Sequence, residues 1–220
     1  MAIETPFAGL HASPPQTLPF DAGSVARSFL LERDHGNVVV YSSETAAALN
    51  DAGTVSWQYL NHWHESLFHP AGAFDAPLVV HHDDSAEVKR RTGVDPVTFT
   101  GRHQLGEGFE IVPIPGHTPG ATAYLWEHGE HRFLFPGDTL YLRDGEWVAA
   151  VLDSSDREAM SASLALIREL DFDVLVPWAA TAGQPYWTIT DRADTRRRVD
   201  KALVAAGLEH GTPGVVGVTA

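Results

Sequence analysis

Three short segments of the chain each contain a residue type that binds metal ions. They are Asn61-His62-Trp63-His64, then Pro115-Gly116-His117-Thr118-Pro119-Gly120, and finally Pro136-Gly137-Asp138-Thr139. Imidazole nitrogens and carboxylate oxygens are ligands of zinc, iron and manganese. Because the chain has no cysteine, histidines and carboxylates must supply every ligand. The predicted metal ligands are His62, His64, His117 and Asp138.

Each segment follows an apolar, strand-like run, and these runs are residues 55–60, 109–114 and 131–135. Histidines one residue apart face the same side of an extended chain. We therefore expect His62 and His64 to chelate one ion, while Trp63 points away into packing. Pro-Gly turns predict that His117 and Asp138 are held stiffly at the ends of their strands.

The rest of the chain alternates predicted hairpins with helices. This pattern favours one domain of two mostly antiparallel or mixed sheets covered by helices. Residues 1–22 are predicted to be an irregular lead-in and residues 211–220 a flexible tail. Further predicted elements are hairpins over 25–41 and 121–135, strands over 78–80 and 173–177, and helices over 44–49, 84–91 and 191–206, with another helix starting at the capping box 155–158.

Composition limits the partners that the chain can have. Its 220 residues carry a formal charge of −14, and the only basic runs are the short segments 89–91 and 196–198. Nucleic acid is not an expected partner, because phosphate binding needs a broader basic surface. We read neither a signal peptide nor a membrane span, so the expectation is a cytoplasmic protein acting on a small-molecule substrate, as a monomer or homodimer.

The three segments together resemble the motifs of the metallo-beta-lactamase superfamily. The resemblance extends from about Val25 to Leu203 and includes the late strand that ends at Pro177-Trp178. It implies an α/β (α+β) fold, the αββα four-layer sandwich, with the site at one edge between the sheets. It also implies that His62, His64 and His117 hold the first of two metals and that Asp138 bridges both.

Residues that hold the second metal in that family are missing here. The family's loop continues His-x-His-x-Asp-His, but this chain has Ser66 and Leu67 at the last two positions, and Trp178 replaces a late histidine. Tyr41-Ser42-Ser43 also stands where the family has an Asp-Thr-Gly turn. The losses affect one metal and spare the other. The pattern predicts a mononuclear site with one divalent ion, zinc by preference, with iron and manganese left open.

A single zinc with three imidazoles would keep a fourth position for water and lower the pKa of that water toward about 7. The predicted function is a metal-dependent hydrolase that uses this water to attack a small ester, lactone, thioester or amide. Asp138 is the predicted catalytic residue, as a ligand or as the group that steers the water. Two alternatives stay open: a mononuclear iron oxygenase, and a non-catalytic metal-binding protein.

Three further features could contribute to such a site. Glu65 and His69 lie close to the histidine pair and could compensate for the missing aspartate. The pair His81-His82 suggests a second metal cluster, although the end of a strand followed by a helix cap explains it better. Trp178 would either border the metal or fill the core.

Overall fold

The computed structural model describes residues 2–208, which form eighteen strands and three α-helices. The strands are β1 (Glu4–Phe7), β2 (Leu10–Ala12), β3 (Gln16–Leu18), β4 (Asp21–Ala26), β5 (Phe29–Leu31), β6 (Asn37–Val40), β7 (Val55–Tyr59), β8 (Leu78–His81), β9 (Val97–Phe99), β10 (His103–Gln104), β11 (Phe109–Pro113), β12 (Thr122–His128), β13 (His131–Phe135), β14 (Tyr141–Arg143), β15 (Glu146–Val148), β16 (Val174–Leu175), β17 (Ala179–Thr181) and β18 (Thr188–Ile189). The helices are α1 (His82–Thr92), α2 (Arg157–Ile167) and α3 (Arg192–Ala205), and 3₁₀ helices cover Ala46–Asp51 and Trp63–Phe68.

These strands build three mixed sheets. The first has the order β1-β2-β5-β6-β7-β8-β9, the second β10-β11-β12-β13-β16-β18 and the third β15-β14-β17-β4-β3. Strands β6 to β9 run parallel to one another, whereas β10 to β13 form an antiparallel meander. The hairpin predicted over 121–135 is β12 and β13, which pair from Tyr124 opposite Phe135 to His128 opposite His131.

Alternation along the strands directs neighbouring side chains into two separate cores. In β11, Ile111 joins the core between the sheets, and Val112 joins the core under α2 and α3. In β13, Phe133 and Phe135 enter the first core and Leu134 the second. A strand segment buried on both faces needs apolar residues at every position, which is what residues 133–135 of β13 have. The second sheet is therefore an interior layer.

Helices cover the outer face of the first sheet as well. Val88 of α1 packs on Leu60, Leu78 and Val80, while Leu49 of the first 3₁₀ helix packs in a separate cluster on that sheet. The order of layers is helices, sheet, sheet, helices. This confirms the predicted αββα four-layer fold, in which α1 follows β8 and ends at Gly93 in a left-handed conformation with φ 71°.

Several predicted elements need correction. The irregular lead-in over 1–22 is wrong, since β1 to β4 occupy it and pair with distant strands, such as β2 with β5 and β4 with β17. The residues predicted as a helix over 44–49 form a 3₁₀ helix that starts at Ala46. The first predicted hairpin is shorter than expected, because Val25 belongs to β4 in the third sheet and only β5 and β6 pair. The tail at 211–220 lies outside the described residues.

The predicted starts of α2 and α3 differ from the observed starts by one residue. Asp156, and not Ser155, caps α2, because its carboxylate accepts a hydrogen bond from the Ala159 amide. Asp191 caps α3 in the same way. Over residues 2–208, the structure has no helix that combines the length and the apolar character needed to cross a membrane.

Candidate metal centre

The first histidine segment follows β7, an inner strand of the first sheet, and so lies at the edge of the sheet formed by the strand ends. His62 keeps extended backbone angles, with φ −153° and ψ 162°, but the chain then enters the 3₁₀ helix Trp63–Phe68. The expectation that His62 and His64 share an extended segment is therefore wrong. Trp63 packs against the Leu60 and Val88 cluster and lies under the Arg91 guanidinium, in agreement with its predicted role in packing.

Three imidazoles converge at this edge. Ligand nitrogens of His62, His64 and His117 all lie within 4.8 Å of one another. The Nδ1 of His64 is 3.0 Å from the Nε2 of His117. Nitrogens bound tetrahedrally to zinc at about 2.0–2.1 Å would be separated by a little over 3 Å. The spacing suits one small divalent ion between the rings.

Hydrogen bonds on the far side of two rings set which nitrogen faces the centre. The Nδ1 of His117 is 2.8 Å from the carbonyl oxygen of Ala150, which can only accept, so this nitrogen carries the proton. The Nδ1 of His62 donates in the same way, 3.0 Å from the Oδ1 of Asn61 and 3.1 Å from the Oε1 of Glu65. The Nε2 lone pairs of His62 and His117 are thereby left for a metal.

Unpartnered buried atoms at the centre also fit a metal. Within residues 2–208, the Nε2 of His62 and the Oδ1 of Asp138 are buried without a hydrogen-bond partner. Burial, with the neighbouring His117 next in effect, lowers the pKa of His62 and brings that of His64 to about 4. Both rings are therefore neutral near pH 7, which is the form that binds metals.

Asp138 lies at the border of the histidine cluster. Its Oδ2 is 3.6 Å from the Nε2 of His62 and 3.9 Å from the Nε2 of His117. Burial raises the pKa of Asp138, and His117 opposes that rise. Gly137 just before it has φ 59°, and a Cβ at this position would collide with the Asn61 side chain, so the tight turn that delivers Asp138 requires glycine.

Glu65 supports His62 from behind. Its buried carboxylate accepts hydrogen bonds from the backbone amides of Asn61 and Ser42, each at 3.0 Å, and lies 3.1 Å from the Nδ1 of His62. Burial, reinforced by Asp138, raises the pKa of Glu65, and the backbone donors counteract this. Glu65 is thus placed to orient a ligand and does not itself join the convergent histidines.

Asp84 is the site residue that sequence reasoning missed. Its buried carboxylate accepts from the backbone amide of Trp63 at 3.0 Å, from the Thr118 hydroxyl at 2.6 Å and from the Gly120 amide at 2.9 Å. One carboxylate therefore joins both histidine loops. The N-cap of α1 is His81, so Asp84 lies in the first turn of the helix and is not its cap. The sequence contains no signal for this role, because only tertiary contacts show that the Asp84 carboxylate faces two loops.

The opposite side of the centre is apolar. Trp178 is 1% exposed, its ring lies 5.5 Å from that of His62, and its Nε1 donates to the Ser42 carbonyl at 2.8 Å. Ser66 donates its hydroxyl to the Trp63 carbonyl and so closes the 3₁₀ helix. Leu67 is 51% exposed. Ser66, Leu67 and Trp178 are the positions where ligands of a second metal were expected to be missing. Within residues 2–208, no second group of metal-binding side chains lies there.

The remaining candidate histidines lie elsewhere. His69 is 3.5 Å from the Ser42 hydroxyl and outside the convergent group, and burial lowers its pKa. His81 ends β8 and accepts from the Asp83 amide as the N-cap of α1, so His81 itself is the cap that we expected at Asp83 or Asp84. Neither segment adds a ligand to the centre.

Tyr41 anchors the turn that replaces the family's Asp-Thr-Gly. It has φ 66°, and its buried hydroxyl donates to the Val176 carbonyl and accepts from the Gly137 amide, both at 2.9 Å. The loops of Asp138 and Trp178 are thereby joined through one side chain.

A cavity of about 1010 Å³ opens from the centre. His64, His117 and Asp138 line its inner end. This volume is at the upper end of the usual range for small-molecule sites, about 300–1,000 Å³.

Comparisons with known proteins agree with this geometry. Residues 26–179 match the family model of the metallo-beta-lactamase superfamily. No curated protein matches the chain in sequence. Among solved structures, the metallo-beta-lactamase SMB-1 in a complex with mercaptoacetic acid is 15% identical with a TM-score of 0.66, over 93% of this chain and 95% of that one.

Two other solved structures extend the likeness. An archaeal superfamily protein, ST1585 from Sulfolobus tokodaii, is 15% identical with a TM-score of 0.63, over 96% of this chain and 91% of that one. The hydrolase AbOPH is 12% identical with a TM-score of 0.60, over 88% and 94%. At such low identity, these similarities establish the fold alone.

Proposed function

Because this chain belongs to the metallo-beta-lactamase superfamily, we propose that it is a mononuclear, zinc-dependent hydrolase of a small ester, lactone, thioester or amide. The observation that carries the proposal is the convergence of His62, His64 and His117, with two ring orientations set by hydrogen bonds to Ala150 and Asn61. This donor set fits one zinc ion.

When bound there, zinc would polarise a carbonyl and lower the pKa of a water molecule toward about 7. Asp138 is placed to accept a hydrogen bond from the attacking water and to hold its proton, since one carboxylate oxygen is buried without a partner. Ser66 cannot act as a base near neutral pH, because a serine hydroxyl does not ionise there. Proton transfer therefore depends on Asp138.

Three imidazoles favour hydrolysis over oxidation. Iron oxygenases of the mononuclear type use two histidines and one carboxylate with open positions. Here three imidazoles converge, so the third protein ligand is an imidazole where those enzymes have a carboxylate. The proposal extends to a small-molecule substrate, for which the cavity beside the histidines gives room, and to a cytoplasmic location and a monomer or homodimer.

Metal analysis and one matched pair of variants test this function. We expect one zinc per chain in the purified protein and hydrolysis of a panel of aryl esters, lactones and thioesters. His117→Ala should lose metal and activity together, whereas His82→Ala, an exposed histidine at the start of α1, should keep both. Iron with oxygen uptake would replace the proposal by an oxygenase. Bound zinc without turnover of any panel member would support a non-catalytic role.

A further inference from the structure

Large apolar side chains are exposed around the cavity of the metal centre. Eight such side chains are exposed among the described residues, and three of them line this one cavity. They are Phe20 at 70%, Leu67 at 51% and Leu152 at 44% exposure. Single exposed leucines are ordinary on protein surfaces, but a cluster at a cavity indicates a binding surface.

The three side chains come from separate segments. Phe20 lies in the turn between β3 and β4, Leu67 in the second 3₁₀ helix and Leu152 in the loop before α2. Aromatic contacts extend inward from this rim, with the Phe20 and Phe68 rings 6.4 Å apart and the Phe68 and Trp178 rings 5.7 Å apart. An apolar wall thus runs from solvent to the ring beside His62.

Polar groups of the cavity are concentrated elsewhere. Asp21 and Arg143 form an ion pair at 3.3 Å, and the Arg143 guanidinium lies 5.2 Å from the centre of the Tyr141 ring. Because Arg143 already has a carboxylate partner, the cavity does not offer a free cation for an anionic substrate. Recognition of the non-reacting part of the substrate therefore falls to the apolar wall.

We propose that the substrate is an acyl compound whose hydrocarbon chain lies along Phe20, Leu67, Leu152 and Trp178, with its carbonyl at the three histidines. This inference rests on the proposed function and assigns its substrate class. Leu67 occupies the position where the family's loop has a histidine. A position that would hold a metal ligand therefore contributes here to the apolar wall that contacts the hydrocarbon chain of the substrate. Small polar esters would leave this wall exposed to water and bind weakly.

Two measurements on the zinc-bound protein test the proposal. The first is kcat/KM for p-nitrophenyl acetate, butyrate and hexanoate, which we expect to rise about two- to fourfold per added methylene, because full burial of one methylene is worth a factor of about four. The second is the affinity for acetate, butyrate and hexanoate, measured by calorimetry, which needs no turnover and should rise in the same order.

Matched variants locate the effect. Leu67→Ser and Phe20→Ser should flatten both chain-length series, while Val204→Ser, an exposed apolar position on α3, should leave them unchanged. Hydrolysis without any dependence on chain length overturns the acyl-chain inference and leaves the hydrolase proposal standing. Carboxylate affinities that rise with chain length, in a protein that hydrolyses no acyl ester, lactone, thioester or amide, support the apolar site and reject the hydrolase.

Discussion

The side of the centre formed by the three histidines rests on buried hydrogen bonds, whereas the side around Trp178 rests mainly on apolar packing. Glu65 and Asp84 together accept bonds from backbone groups on both histidine loops. On the other side, Trp178 packs against Phe68 and the His62 ring and makes one hydrogen bond to Ser42. The two sides face the same cavity.

The difference is in line with the proposed single-metal centre. Polar contacts orient the residues that are proposed as ligands of that metal. Where the ligands are missing, a large aromatic ring fills the space, which avoids leaving a void. We therefore expect changes on the two sides to affect different measurements, metal affinity on one and stability on the other.

The largest effect is expected from Trp178→Ala. Removing this buried ring should lower the free energy of unfolding by about 3–5 kcal/mol, because the surrounding atoms cannot fill the cavity. Zinc affinity should change by less than about tenfold, since the ring packs against His62 but makes no hydrogen bond to any proposed ligand. Urea unfolding and zinc competition with a chromophoric chelator measure the two quantities. Trp178→Phe, which keeps a ring, should lose clearly less stability.

Asp84→Asn should reduce both quantities. An amide group would face at least one of the three donors that the carboxylate now accepts, and an unsatisfied buried donor costs about 1–3 kcal/mol. Since the two histidine loops would then be less well aligned, zinc affinity should also fall, by about tenfold. Asp83→Asn is the control, on the exposed neighbour in the same helix. A loss of stability with unchanged zinc affinity would show that Asp84 does not position the loops for metal.

Glu65→Gln should act mainly on the metal. Residues that orient a ligand histidine typically contribute about 10- to 100-fold to metal affinity. We expect a decrease in this range in the chelator competition, because the amide cannot accept all the bonds that reach the carboxylate. An affinity equal to that of the unaltered protein would mean that Asn61 alone orients His62.

The smallest effect is a pH dependence confined to the histidine side. Burial lowers the pKa of His64 to about 4 and that of His62 well below its ordinary value, near 6.5 in an unfolded chain. At these two histidines the unfolded chain therefore binds more protons below pH 6.5, so their contribution to the stability of the metal-free protein falls as the pH falls from 6.5 toward 4. The raised pKa values of the buried carboxyls Glu65 and Asp138 act in the opposite direction, so variants are needed to isolate the histidines. The loss is at most about 1.4 kcal/mol per pH unit for each histidine.

Chemical unfolding of the metal-free protein at pH 7.0 and pH 5.5 measures this slope. His64→Gln should make the slope shallower, since one shifted group is removed. Trp178→Phe should change it less than His64→Gln does, because it keeps a buried ring and removes no titrating group. Equal slopes in the unaltered protein, His64→Gln and Trp178→Phe would contradict the expectation that this pH dependence comes from the histidine side.

Local patterns in the sequence were sufficient for much of the second sheet. Residues 109–114 and 121–135 alternate and are punctuated by turns, and they form β11, β12 and β13 close to the predicted bounds. The strands in residues 4–26 were missed, because they are short and their pairing partners lie in distant segments such as β5 and β17. Short strands have little periodicity of their own, so tertiary hydrogen bonds decide them.

By itself, the sequence determined the family, the fold and the three histidines with Asp138 as candidate ligands. Residue type and motif order express that chemistry without reference to contacts. Only the tertiary structure decided which nitrogens face the centre, that Asp84 joins one loop 21 residues away to another 34 to 36 residues away, and that Phe20, Leu67 and Leu152 form one wall. These properties depend on distances between segments far apart in the chain, which the packing of the two sheets and their helices sets.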